Sequence, residues 1–295
     1  MSVKVYVNDA RLVYNALNGI FVIYKSPHVH FNEMRQTLIN NLCEDLNDMY
    51  VRPQRKYVAI EGDTNKDMKV IIRKSFADDP LVVGPRYQPN DFKLAATKIM
   101  HKDVSGVLVC GINKGQATNN YFHTGKIIEK SKYTHIKRGH IDKICSSMQS
   151  SHQKKMFELC GVDIQSQAAY ELAVQGPIRP VNSNIPMIYA IKCTNFSPPE
   201  FTLEVVCTNE YDLYLKTIIH ELGMQLRSNA TCTQIICIQD GLFNIQQALL
   251  SKYWNIKEIM HNIQMCKKII DENDHILYHE NAALKPINHS MEVVS

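Results

Sequence analysis

Residues Lys98–Gly115, KIMHKDVSGVLVCGINKG, contain the most strand-like run of the chain. Within it, Val107–Cys110 is apolar at every position, so a strand here would be apolar on both faces. Such a strand is typical of the buried centre of a sheet rather than of its edge. Ser105-Gly106 before the run and the glycines after it are turn formers that bound the strand.

An acidic side chain stands just before this predicted strand. Asp103 follows His101 and Lys102 directly in the sequence. A carboxylate beside a cation at the entry of a buried strand can act as a nucleophile. The ordinary alternative is a turn or capping aspartate, because acidic residues are common at such positions.

Composition sets broad limits on the fold and the function. With 295 residues, 45% of them hydrophobic, the chain can bury one large core or two smaller ones. The formal net charge of +4 is too small to indicate nucleic-acid binding by itself. The sequence has no apolar run long enough for a membrane span. Its nine cysteines form no CxxC pair, which favours free, mostly buried thiols over disulfides.

Positive charge is concentrated in one segment of the chain. Lys114–Lys155 carries nine Lys and Arg residues against two acidic ones, with Tyr121, Phe122 and Tyr133 among them. Cations neutralise phosphates and planar rings stack on unpaired bases, so this segment is a candidate RNA-binding surface. A solvated basic surface without an RNA role is the alternative.

Hydrophobic periodicity predicts that the chain contains both strands and helices, as in an α+β protein. The predicted strands are one that starts at Gly19 and stops before Pro27, then Tyr57–Glu61, Met68–Arg73, Met187–Cys193, Phe201–Cys207 and Ala230–Ile238. Three predicted helices have two bounds: Asn32–Leu46, Leu215–Leu226 and Asn244–Lys267. Asn32 caps the first of them. Two more helices are predicted, one that Thr134 caps and that contains Ile141, and a short one that ends at Gly176. The first 18 residues read as a strand, a frayed tail or a weak presequence.

Four stretches in order along the chain carry a family resemblance. They are GIFVIYKSP at Gly19–Pro27, SGVLVCG at Ser105–Gly111, YELA within Ser151–Asn182, and YLKTIIHELG at Tyr214–Gly223. They resemble the motifs G-[IV]-x-x-[IVL]-x-K-P, LDPxA[ST]GVLxxxxG, YELAR and Y-[IV]-R-[ST]-L-[IV]-x-D-[IL]-G of the TruB pseudouridine synthases. The similarity covers roughly Gly19–Asn262 and is greatest to the mitochondrial, vertebrate-type branch.

The resemblance implies a fold, a reaction and a location. The expected fold is the pseudouridine-synthase type, a mixed, largely antiparallel sheet flanked by helices. The expected reaction isomerises uridine to pseudouridine in mitochondrial mRNA or tRNA, in the matrix, without cofactor or metal. Mitochondrial RNA-processing proteins are the expected protein partners.

The resemblance also assigns roles to individual residues. Asp103 is the candidate nucleophile and Lys216 its electrostatic partner. The family's matching lysine lies near the RNA, so Lys25 is a candidate RNA contact. Four other cations are candidate RNA contacts beside it: Lys126 and Lys130 from the basic segment, Lys102 next to Asp103, and Arg179 of a predicted loop.

The sequence departs from the family pattern at its active site. In an ungapped alignment the nucleophile's position is His101, and Lys216 replaces an arginine that pairs with it. A single ammonium cannot form the two parallel bonds of a guanidinium to a carboxylate. Near Lys114-Gly115 the family's K-x-Y strand is missing. The chain is therefore either an unusual synthase, a catalytically inactive RNA-binding or scaffold relative, or a splice form that lacks an exon.

The expected organisation is one catalytic domain between two tails. Residues 1–18 form the N-terminal tail, 19–262 the domain with an internal deletion near 114–115, and 263–295 a polar tail. That last segment is too short for the RNA-binding PUA domain of bacterial relatives.

Overall fold

The computed structural model describes residues 9–51, 56–62, 68–78, 80–98, 100–113, 120–127, 135–174 and 185–273, with the backbone alone given for 78, 80 and 120–127. Within these ranges the chain is a mixed α+β structure. The helices are α1 (Ala10–Ala16), α2 (Phe31–Asp48), α3 (Pro80–Val83), α4 (Arg138–Leu159), α5 (Gln167–Val174), α6 (Asp212–Gln225) and α7 (Ile256–Glu272). The strands are β1 (Gly19–Lys25), β2 (Lys56–Glu61), β3 (Lys69–Lys74), β4 (Leu94–Ala96), β5 (Val104–Ile112), β6 (Asn120–Ile127), β7 (Met187–Ser197), β8 (Glu200–Thr208), β9 (Ala230–Asp240) and β10 (Phe243–Asn244).

Eight of the strands form one sheet. Its central order is β1-β5-β9-β6-β8-β7, with β4 paired to β5 and β10 paired to β9. Every pairing is antiparallel except that of β5 with β9, so the predicted mixed, largely antiparallel sheet is confirmed. The remaining strands, β2 and β3, pair only with each other.

Strand β5 is buried along its whole length, as its apolar run predicts. All nine of its residues are buried. It pairs with β1 along Gly106–Ile112, but with β9 only through Val104–Gly106. Asp103 therefore stands directly before the short parallel pairing that joins β5 to β9.

Helices cover the sheet through their apolar stripes. In α2, Met34, Leu38, Leu42 and Leu46 are buried as predicted, but the helix begins after His30 rather than at a capping Asn32. Helix α4 begins after Lys137, and Thr134 lies outside the described residues. Helix α5 is described as far as Val174, and its predicted end at Gly176 lies outside the described residues.

The structure corrects the predicted secondary structure near both ends of the predicted domain. Residues 10–16 form a helix whose Ala10 and Val13 join the main core, so this part of the N-terminus is neither a strand nor a frayed tail. Helix α7 begins at Ile256 rather than Asn244, and it continues to Glu272 within the predicted polar tail.

The nine cysteines are thiols rather than disulfides. Cys110, Cys193 and Cys207 are buried, whereas Cys232 is partly exposed. Among the described helices, none has both the length and the apolarity of a membrane-spanning segment.

Candidate functional site

The candidate nucleophile lies in a tight turn at the entry of β5. The amide of Val104 donates to the carbonyl of His101 at 3.1 Å, which closes the turn around Lys102 and Asp103. The side chain of Asp103 is 39% exposed. The turn therefore holds this carboxylate at the surface, at the beginning of the most buried strand.

Three nitrogen-bearing side chains surround the Asp103 carboxylate. Lys216 Nζ lies 3.4 Å from Oδ2 and His101 Nδ1 lies 3.2 Å from the same oxygen. His28 Nδ1 lies 3.8 Å from Oδ1. The structure thus brings together Asp103 and Lys216, which are 113 residues apart in sequence.

These neighbours favour the ionised carboxylate. Partial desolvation alone raises the pKa of Asp103, but the hydrogen bond from Lys216 and the charges of Lys216, His101 and Lys102 outweigh it. The net pKa of Asp103 is lowered from its usual value. At neutral pH the group is a carboxylate, which is the form that a nucleophile requires.

Helix α6 contacts the turn at two points. Its Lys216 reaches the Asp103 side chain, and Asp212, one helical turn earlier, accepts the backbone N–H of His101 at 2.7 Å. Residues four apart lie on one face of a helix, so α6 presents both groups to the turn at once. The helix fixes the backbone before Asp103 as well as its carboxylate.

Lys25 lies beneath the turn and is completely buried. Its Nζ donates to the carbonyls of Val104 at 2.6 Å, Lys102 at 3.0 Å and Ser26 at 3.1 Å. The His28 amide also donates to the Lys102 carbonyl, at 2.7 Å. A buried ammonium engaged with three carbonyls cannot reach an RNA phosphate, so the prediction that Lys25 contacts RNA is wrong. Lys25 instead holds the backbone on both sides of Asp103.

The other predicted RNA contacts are only partly described. Lys102 is exposed beside Asp103. The backbone of Lys126 belongs to β6, but its side chain, like all of Lys130 and Arg179, lies outside the described residues. The predicted deletion near Lys114-Gly115 also falls outside them.

A second ion pair is buried beside β5, farther along the strand from the turn. Lys98 Nζ lies 3.4 Å from Asp240 Oδ2, and the two side chains are 10% and 0% exposed. Desolvation raises the pKa of Asp240 to about 6 against the opposing charge of Lys98. Asp240 also accepts a hydrogen bond from the backbone of Val109, in the part of β5 that lies beyond its pairing with β9. A carboxylate therefore satisfies a backbone donor that a neighbouring strand would otherwise bind.

Sequence reasoning missed Asp212 and His28 as neighbours of the turn. The four-residue spacing of Asp212 and Lys216 was a usable signal, because it predicts one shared helix face. His28 had no comparable signal, since its place depends on the turn after β1, where its φ is 63°. Within the described part of the chain, no cluster of three or more His, Cys, Asp or Glu side chains could hold a metal ion.

Comparison with known proteins adds a family assignment to this geometry. The family described as "TruB family pseudouridylate synthase (N terminal domain)" matches residues 96–212, which include Asp103 and the start of α6. The Xenopus tropicalis protein named "Pseudouridylate synthase TRUB2, mitochondrial" is 35% identical over 285 residues, covering 86% of this chain and 87% of that protein. The Homo sapiens protein of the same name is 32% identical over 278 residues, covering 84% of this chain and 83% of that protein.

Solved structures give a weaker similarity. The chain aligns with a structure described as "Crystal structure of the archaeal box H/ACA sRNP Nop10-Cbf5 complex" with a TM-score of 0.46 and 11% identity. The alignment covers 83% of this chain and 58% of that one. This similarity adds nothing to the family assignment, which follows from the two sequence relatives.

Proposed function

The chain belongs to the TruB family of pseudouridylate synthases, and on this premise we propose that it isomerises uridine to pseudouridine in RNA within mitochondria. The relatives that bear the mitochondrial name align with more than four-fifths of the chain. Mitochondrial mRNA or tRNA in the matrix is the proposed substrate, and mitochondrial RNA-processing proteins are the proposed partners.

The reaction needs few groups, and the turn before β5 holds the main ones. The target uridine is flipped out of its stack, and an aspartate attacks the nucleoside. Uracil detaches as the bond from N1 to the sugar breaks, turns, and rejoins the sugar through C5. The bond to the aspartate breaks as this new bond forms, the C5 proton leaves, and N1 takes up a proton. Asp103 is the proposed nucleophile.

The observation that supports this proposal is the contact between Lys216 and Asp103 at 3.4 Å. The ammonium keeps the carboxylate ionised and limits the directions in which it can point. Lys25 and Asp212 hold the turn from two other sides, so the nucleophile is attached to a fixed backbone. Preorganisation of this kind is what catalysis by a positioned nucleophile requires.

Four cations are proposed to bind the RNA. Lys102 is exposed next to the nucleophile, where it can contact the phosphate of a flipped nucleotide. Lys126 and Lys130 from the basic segment Lys114–Lys155, and Arg179 from a predicted loop, are proposed as further contacts.

The test is release of tritium from RNA that carries [5-³H]uridine, because the C5 hydrogen is lost when the new bond forms. Purified wild-type protein should release tritium from transcribed mitochondrial mRNA or tRNA. Asp103→Ala should abolish release while RNA affinity stays within a few-fold of wild type. Glu272→Ala, which removes an exposed carboxylate on α7, is the matched control and should leave release unchanged. Retained release in Asp103→Ala would end the assignment of the nucleophile.

A second candidate function is RNA binding without modification. The surroundings of Asp103 favour it. Lys216 offers a single ammonium in place of a guanidinium, and the Asp103 carboxylate is 39% exposed rather than enclosed in a pocket. This candidate predicts salt-dependent RNA binding by wild-type protein together with no tritium release from any of the transcripts. Release by wild type that Asp103→Ala removes would exclude it.

A further inference from the structure

The hairpin of β2 and β3 is set apart from the main sheet. Its two strands form a sheet of their own, in register from Lys56↔Lys74 to Glu61↔Lys69. A two-stranded hairpin is at best marginally stable in water unless another surface packs on it. The hairpin is therefore expected to be stabilised by another surface that packs on it.

The register sorts the hairpin side chains onto two different faces. Directly opposite residues point to the same side of an antiparallel pair, and successive residues alternate sides. One side carries four β-branched residues, which we call the apolar hairpin face: Val58, Ile60, Val70 and Ile72. The other side carries Tyr57, Ala59 and Ile71 with an ion pair between Arg73 and Glu61.

The apolar hairpin face is open to solvent. Val58, Ile60, Val70 and Ile72 are 65%, 66%, 69% and 68% exposed, whereas Tyr57 and Ile71 on the other side are 44% and 38% exposed. A contiguous apolar face of this kind is unfavourable in water and typically marks an interaction site.

The charges around this face indicate the kind of partner. Lys56 and Lys74 lie directly opposite each other on the same side as the four aliphatic residues. Like charges placed opposite each other repel, and a carboxylate between them removes the repulsion. In the described ranges the hairpin's acidic residue, Glu61, pairs with Arg73 and not with these two lysines. The face therefore suits a partner that supplies its own carboxylates.

Two other occupants fit the face less well. RNA would be attracted by the lysines, but four aliphatic side chains offer neither rings for stacking nor groups for hydrogen bonds to bases. A second copy of the chain would bring a second Lys56–Lys74 pair against the first, which adds repulsion.

We propose that the apolar hairpin face is a docking site for a different protein, which presents apolar side chains flanked by Asp or Glu. Burial of the four aliphatic residues provides the contact, and pairing of the partner's carboxylates with Lys56 and Lys74 sets its orientation. This site does not depend on the chemistry proposed for Asp103.

The chemistry of the site can be tested with two designed helical peptides of about 20 residues. Both carry the same stripe of Leu and Ile, flanked by Glu in one peptide and by Lys in the other. Fluorescence anisotropy with the full chain should show the Glu peptide binding about tenfold more tightly than the Lys peptide. Equal affinities, or no binding of the Glu peptide, would overturn the proposal.

Variants locate the binding and test the role of charge. Ile60→Asp should lower the affinity for the Glu peptide about tenfold. Leu12→Asp, at a residue of α1 that is 58% exposed, should leave that affinity unchanged. The double variant Lys56→Glu/Lys74→Glu should reverse the preference between the two peptides. Unchanged binding in Ile60→Asp, or an unreversed preference, would contradict the docking site. Because all four substituted positions are on the surface, thermal unfolding should confirm that each variant is folded.

The natural occupant can be captured with a photo-crosslinker in place of Ile72 in the full chain, expressed in cells. The proposal expects an adduct with one other protein. That protein, once purified, should bind wild type but lose affinity for Ile60→Asp and for Lys56→Glu/Lys74→Glu. An adduct with a second copy, an adduct with RNA alone, or no adduct would each overturn the proposal.

Discussion

The carboxylate of Asp212 accepts the backbone amide of His101 at 2.7 Å, two residues before Asp103. Asp212 lies in the first turn of α6, and Lys216 on the next turn contacts Asp103 itself. One helix therefore sets both the path of the backbone before the nucleophile and the direction of its carboxylate. This relationship makes Asp212 a positioning residue for the proposed reaction.

Asp212→Ala should reduce the rate of tritium release without a comparable loss of RNA affinity. The His101 amide loses its acceptor and the turn gains freedom, so kcat should fall about tenfold or more while KM changes little. Asp212→Asn keeps a side-chain oxygen that accepts the amide and should recover most of the rate. Hydrogen exchange at His101 should be faster in the Ala variant than in the Asn variant. An equal rate in all three proteins would show that Asp212 has no positioning role.

Lys216→Met should slow modification about 100-fold, a typical loss when one stabilising charge is removed from an active site. The pKa of Asp103 should also rise, because the hydrogen bond and the charge of Lys216 lower it in the wild type. The acid limb of the pH–rate profile should therefore move to higher pH. Lys216→Arg keeps the charge, so it should retain activity, and the acid limb of its pH–rate profile should stay at the wild-type position. An unshifted limb in Lys216→Met would show that the pair does not set the ionisation of Asp103.

Lys25→Met should lower the free energy of unfolding by about 2–4 kcal/mol, because carbonyls of the turn lose their charged donor. Lys102→Met is the matched control, since that lysine is exposed on the neighbouring turn and its loss should change stability by less than about 0.5 kcal/mol. Urea denaturation of the two variants measures the difference. Similar stabilities would mean that the three hydrogen bonds of Lys25 contribute little.

Gly106→Ala should destabilise the chain by about 3 kcal/mol or more. The φ of Gly106 is +116°, and a Cβ there would lie 2.0 Å from the carbonyl oxygen of Cys237. Gly139→Ala is the control, because a Cβ at that helical position meets nothing within 4 Å and should be neutral or slightly stabilising. Thermal unfolding of both variants tests the close approach of β5 to β9.

Glu210→Gln should stabilise the chain at alkaline pH. Desolvation raises the pKa of Glu210 to about 7 from a usual value of 4.5. At pH values between these two pKa values, the folded state holds more protons than the unfolded state. The stability of the wild type therefore falls as pH rises from about 4.5 to about 7. Gln stays neutral and avoids that loss. The Tm of the variant should exceed that of wild type at pH 8, and the difference should vanish near pH 4.

The same substitution at an exposed acid supplies the control. Glu158→Gln on α4 should show no such divergence from wild type, because the Glu158 side chain is 62% exposed. A constant difference between Glu210→Gln and wild type across this pH range would mean that Glu210 does not titrate in the window.

The sheet and its main helices could be predicted from the sequence, because their apolar patterns have a clear period. The unbroken run of β5, the alternation of β8 and the stripe of α2 all predict the burial that the structure shows. Helix α1 was missed although its signal is present, since Asp9 caps it by accepting the amides of Arg11 and Leu12. The start of α7 was misplaced because an apolar stretch first forms β10 and short 3-10 turns.

The candidate site was predictable only in its main pair. Motif resemblance connects Asp103 with Lys216 across the sequence, and the structure brings them into contact. The position of Lys25 was not predictable, because a lysine at the end of a strand is normally solvated, and only the turn folded over it makes it buried. Asp212 lies before the motif that contains Lys216, so the resemblance gave it no role.

The parallel pairing of β5 with β9 spans three residue pairs and begins immediately after Asp103. Gly106 and Cys237, which pair at its far end, do not touch the carboxylate, yet their close approach fixes the strand that carries it. Selection for accurate chemistry should therefore act on these backbone neighbours as strictly as on Asp103. Harmful inherited substitutions are accordingly expected at Gly106, even though its hydrogen-only side chain has no chemistry of its own.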